Sequence, residues 1–92
     1  MKNLQKIQEL QAGVNAANTA DADGRQVVAS ACTKLYNTIE EDIYNAGAEW
    51  MLNGLYIDLH NSNFAEPFMC EMMKTTFATV VKVYEDRILP RL

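Results

Sequence analysis

The chain has 92 residues, 49% of them hydrophobic and 22% charged, with 4 Gly and 2 Pro. That length makes one small domain, and the composition is too apolar and too poor in helix breakers for a disordered tail. The formal net charge of −4 lacks the basic footprint of an unaided nucleic-acid binder, and 12 acidic against 8 basic residues are too few for a DNA mimic.

Leu4, Ile7, Leu10, Val14 and Ala17 step by three or four residues, which predicts an amphipathic helix over about residues 2–17. No apolar run follows Lys2 and Lys6, so no signal peptide is expected. The stretch Asn18–Gly24 reads as a loop, and Thr19, Asp21 or Asp23 can cap the helix that follows.

A second helix is predicted over about residues 22–52. Ala29, Cys32, Tyr36, Ile39, Ile43, Ala46 and Trp50 form its stripe, widened by Val27, Val28, Ala31 and Leu35. Asn53-Gly54 reads as its stop, because Gly past the last turn can take the left-handed conformation. Residues 55–60 fit either helix or strand; helix or an irregular turn is preferred, since a lone strand would need a second copy to pair with. Asn61-Ser62-Asn63 is a turn, with Asn63 and Glu66 resembling a capping box ahead of Pro67. Cys70, Met73, Phe77, Val80, Tyr84 and Ile88 then run down one face of a last helix, about residues 65–88.

The expected fold is therefore all-α: a short N-terminal helix followed by a long antiparallel helical hairpin. Its arms would be about 45 Å and 35 Å long at 1.5 Å per residue. So small a chain cannot cover both sides of such a rod, so a homodimer is expected. The longest apolar runs, such as Trp50-Met51-Leu52, are too short to cross a membrane. Cys32 and Cys70 are too few for a disulfide framework and are read as buried free thiols in a reducing cytoplasm.

Charge is distributed unevenly. No Lys or Arg falls between Lys34 and Lys74, a window holding Glu40, Glu41, Asp42, Glu49, Asp58, Glu66 and Glu71. On a hairpin this window maps to the closed end and makes an acidic tip. Trp50, Met51, Tyr56, Phe64, Phe68, Met69, Met72 and Met73 gather around the same bend. Trp50, Met73 and Phe77 lie on the stripes and are expected to close the bundle; Phe64, Phe68 and Met72 fall partly off them. An acidic rim around a soft apolar centre is the anatomy of a protein-binding patch. Equally, an acidic face can serve only solubility.

Signals for catalysis are weak. His60 is the only histidine and reads as a surface or turn residue, and no metal-ligand spacing accompanies it. Cys70 lies on an apolar stripe, where a thiolate is disfavoured. Glu40, Glu41 and Asp42 are consecutive and fan around a helix instead of converging. Asp23-Gly24-Arg25 could hold a small anion at a helix start, with Thr75, Thr76 and Thr79 lining a cleft, but a turn and cap is the preferred reading, with the threonines exposed or back-bonded on their helix.

In length, helical hairpin and acidic charge, the chain resembles small phage or plasmid proteins that bind and block a host protein; no residue is carried over from that likeness. The expected function is a non-enzymatic inhibitor or regulator without cofactor or metal. It would dock on a larger protein with a basic, nucleic-acid-handling surface, without touching nucleic acid or membrane itself. Glu40, Glu41, Asp42 and Glu49 would form the acidic contact, with Phe64, Phe68 and Met72 as apolar anchors. Two other readings are a homo-oligomer holding an anionic ligand near Arg25 in an inter-subunit cleft, and a structural assembly subunit.

Overall fold

The computed structural model describes residues 2–60 and 63–92. These form four α-helices: α1 (Lys2–Ala16), α2 (Ala22–Asn45), α3 (Leu52–His60) and α4 (Pro67–Val83). A 3-10 turn, Glu49–Met51, precedes α3; a π turn, Tyr84–Ile88, and a 3-10 turn, Leu89–Arg91, extend α4. Among the described residues there is no strand, so residues 55–60 resolve to helix. The first two residues of the turn expected at 61–63 lie outside the described residues.

α2 begins where the sequence indicates, with the Asp21 carboxylate accepting from the Asp23 backbone N–H. Its end does not match. The helix stops at Asn45, seven residues before the expected Leu52, and the stop is Gly47 in place of Gly54. Gly47 has φ +69°. Its N–H reaches the Tyr44 carbonyl at 3.1 Å, and the Ala48 N–H reaches the Ile43 carbonyl at 3.0 Å. This paired closure is the Schellman arrangement, and buried Ala48 completes it by packing into the core. Gly54 lies inside α3, away from any turn.

The break changes the topology. α2 has 24 residues, about 36 Å at 1.5 Å per residue, and the molecule measures 38 × 24 × 17 Å. α3 is the return leg, so the chain reaches α4 on the same side from which α2 started. Cys70 in the first turn of α4 lies beside the Arg25 carbonyl near the start of α2. Tyr84 at the end of α4 bonds Asp42 near the end of α2. The two long helices therefore run parallel, and the expected three-helix antiparallel hairpin is corrected to an up-down-up-down arrangement of four. α2 and α4 each contact α1, α3 and one another.

The core follows from apolar spacing. Ile7 and Val14 come from α1, Leu55 and Leu59 from α3, and Cys70, Met73, Phe77, Val80 and Val81 from α4, with Tyr84 and Ile88 from its extension. On α2 the buried seam is Val28, Ala31, Cys32, Leu35, Ile39 and Ile43. It is rotated from the expected stripe, so Ala29 and Tyr36 are only half-buried. Trp50, expected to close the bundle, is 69% exposed, because the chain has left the α2 axis before reaching it. Both cysteines are buried free thiols. Burial, followed by the neighbouring Cys70, pushes the Cys32 thiol up to about 12.

α4 starts at Pro67, not residue 65, and Glu66 caps it instead of Asn63. Its carboxylate accepts from Phe68 N–H at 3.2 Å and from Met69 N–H at 2.7 Å. Asn63 Oδ1 accepts from Ala65 N–H, one turn too early to cap the helix. No helix among the described residues is long and apolar enough to cross a membrane.

Candidate functional site

The parallel course of α2 and α4 separates the residues that the sequence suggested as one patch. Call the end holding the start of α2 the first pole and the opposite end the second. Phe64, Phe68 and Met72 lie towards the first pole; Glu40, Glu41, Asp42 and Glu49 lie towards the second. Glu66 and Glu71 also fall at the first pole, with Arg25 and Lys74. Trp50 and Met51 share a groove of about 300 Å3 with Asp86, Arg87, Pro90 and Arg91, so the second pole carries arginines as well. The acidic tip is therefore not a single feature of the folded chain.

The first pole is held by internal bonds. Arg25 Nη1 donates to the Thr19 carbonyl at 2.9 Å. Thr19 Oγ1 donates to Glu71 Oε2 at 2.6 Å, and Lys74 Nζ donates to the Ala17 carbonyl at 2.6 Å. The Thr19 hydroxyl, helped by Lys74, holds the Glu71 carboxyl below its ordinary value. This network fastens the α1–α2 loop to α4 and commits the Arg25 guanidinium to a backbone carbonyl. Phe64 is half-buried and shares a groove with Arg25, Ala22 and Ala29. Phe68, 68% exposed, and Met72, 50% exposed, follow one helical turn apart on the outer face of α4. Thr79 Oγ1 bonds back to the Thr75 carbonyl at 3.0 Å.

Nor do the carboxylates of the second pole act as one group. Asp42 Oδ2 accepts from Tyr84 OH at 2.6 Å and from Asn3 Nδ2 at 2.9 Å, so it ties α1, α2 and the α4 extension together. Glu41 and Glu49 are exposed. Glu40 is half-buried and lies beside the Tyr36 hydroxyl.

Glu40 belongs to an arrangement that the sequence reading missed. Tyr36, Glu40 and Tyr44 follow at four-residue intervals on α2, and Tyr56 and His60 do so on α3. Packing α3 back on α2 brings the two rows together. The Tyr56 and His60 rings are stacked, with centroids 4.6 Å apart and planes at 26°. Tyr36 stands nearly perpendicular to both, at 78° and 5.8 Å from Tyr56 and at 80° and 5.5 Å from His60. Burial, then the Glu40 carboxylate and the Tyr44 and Tyr56 hydroxyls, raise the Tyr36 pKa above its ordinary value. Tyr44 and Tyr56 are each 54% exposed. His60 is thus a half-buried member of an aromatic cluster, not a surface or turn residue. The four-residue spacing is the available signal, but Tyr36 also keeps the spacing of the core stripe, and Tyr56 lies in a segment whose pattern fits either helix or strand.

Among the described residues, no group of three or more His, Cys, Asp and Glu converges as a metal site. The chain matches no family model, no curated protein and no solved structure.

Proposed function

We propose that this chain is a non-enzymatic interaction protein that docks through an acidic, tyrosine-rich face on a basic surface of a larger protein and regulates it by occupying that surface. One observation carries the reading. The outer face of α2 and α3 presents Tyr36, Glu40, Tyr44, Tyr56 and, alongside, Glu41, in a stretch without Lys or Arg from residue 35 to residue 73. Aromatic groups supply contact area at low entropic cost, and unneutralised carboxylates steer encounter with a cationic surface. Proteins that handle nucleic acid expose such surfaces and are the target class. Phe68 and Met72 offer a separate apolar contact on α4.

The test is capture of a host-like basic protein on the immobilised chain at low and high salt, repeated with Glu40→Lys and Glu41→Lys together. Capture that weakens with salt and with charge reversal, at unchanged helicity, is expected. Capture indifferent to both sinks the acidic-docking reading.

A further inference from the structure

We propose that the corner formed by Tyr36, Tyr56 and His60, with Glu40 and Tyr44 on its rim, receives an arginine side chain of the partner. The inference rests on the docking reading above and names the group that the face grips.

Shape comes first. The Tyr56 and His60 rings stack face to face, and Tyr36 stands beside the stack at about a right angle, with its plane at 78° and 80° to theirs. The exposed tyrosines leave ring surface open to solvent. A cation resting on such a surface is attracted by the ring quadrupole.

The polar groups are acceptors. The Glu40 carboxylate lies beside the Tyr36 hydroxyl, and Tyr44 continues the same row one helical turn further on. His60 Nε2 is buried and has no hydrogen-bond partner among the described residues.

Among the described residues, no ion pair reaches Glu40. Lys34, the nearest basic residue before it, lines the groove between α1 and α2 on another face of the helix. The ion pairs among the described residues, Lys74–Glu71 and Lys82–Asp86, both belong to α4 and its extension. Among the described residues, then, the charge of Glu40 is open to a foreign cation.

Guanidinium fits better than ammonium. It is planar, weakly hydrated and stacks on aromatic faces, and its five N–H donors are spread over one plane that can meet several acceptors at once. An ammonium would have to shed a tightly held water shell to make the same ring contact.

The probe is a fluorescein-labelled peptide of alternating Arg and Gly, compared with versions carrying citrulline or Lys in place of Arg. Binding to the full chain is read by anisotropy, and the Tyr36, Tyr56 and His60 ring protons by NMR. Citrulline keeps the planar shape and removes the charge. The Arg peptide is expected to shift those ring protons and to bind about tenfold more tightly than the citrulline peptide, with the Lys peptide between them. Tyr56→Leu and Glu40→Gln should each weaken it about fivefold at unchanged circular dichroism, while Glu9→Gln on α1 leaves it unchanged. No binding, equal binding of the citrulline peptide, or full affinity in both corner variants overturns the proposal. Partner capture that survives both corner substitutions overturns the corner and leaves the docking reading standing. Peptide binding at the corner with no partner captured at any salt sinks the docking reading and leaves the corner as an arginine site.

Discussion

At the scale of single residues, Asp42 is where three parts of the chain meet. Its Oδ2 takes donors from Asn3 and from Tyr84, whose own hydroxyl pKa is raised by burial and by this carboxylate. Removing the hydroxyl with Tyr84→Phe leaves the half-buried carboxylate short of a donor and should cost about 1–2 kcal/mol in urea unfolding. If Asp42 were only a surface charge, the cost would be near zero. Cys32 makes a prediction about pH. Its folded pKa is raised to about 12 from 9.0, so the thiol's contribution to stability is fully present below pH 9 and is lost as pH rises from there through 12. Urea midpoints measured from neutral pH to pH 10.5 should fall more steeply for the parent than for Cys32→Ala. In the native protein at pH 8, a thiol reagent should react with Cys32 only as the chain opens.

At the scale of elements, two glycines fix where helices begin and end. Gly47 sits at φ +69°, so Gly47→Ala should destabilise by about 1–2 kcal/mol although nothing crowds its Cβ position. Gly24 is the opposite case: a Cβ there would lie 1.9 Å from the Asn18 carbonyl oxygen, because the first turn of α2 presses on the loop before it. Gly24→Ala must push the loop away and should loosen the Thr19–Glu71 and Arg25–Thr19 bonds, read as a lower urea midpoint and a smaller shift of the Glu71 carboxyl by NMR. The helices themselves were legible. The α1 and α4 stripes and the start of α2 follow from spacing and from Asp21, and every residue of the expected α4 stripe is buried. The end of α2 was not legible, because Ile43, Ala46 and Trp50 keep helical spacing straight across the turn. Periodicity records which residues could share a face, not whether the backbone between them stays helical.

At the scale of the whole molecule, the turn at Gly47 decides the surface. Folding α3 back shortens the expected rod and covers apolar area within one chain. The accessible surface of 5398 Å2 is close to the roughly 5,400 Å2 expected of a folded monomer of 10.4 kDa. The rod of about 45 Å on which the homodimer expectation rested is not formed, the longest extent being 38 Å. Sedimentation equilibrium at micromolar concentration should give the monomer mass, and a mass that doubles on dilution-reversible association would restore the dimer. The same turn moves Glu66 and Glu71 to the pole opposite Glu40 and Glu49, so the carboxylates expected at one acidic tip are divided between the two poles.

Composition and spacing alone determined the helical class, the buried thiols, the α4 core face and the cation-free stretch from residue 35 to residue 73, since each depends only on residue type and local order. Direction, company and exposure were decided by the tertiary structure. Whether α4 runs with or against α2 depends on the number of reversals between them, and one three-residue turn at Ala46–Ala48 adds the deciding reversal. That reversal sets Tyr56 and His60 against Tyr36 and leaves Trp50 in solvent. Such contacts join residues 20 or more positions apart, and local patterning holds no information about which distant faces will meet.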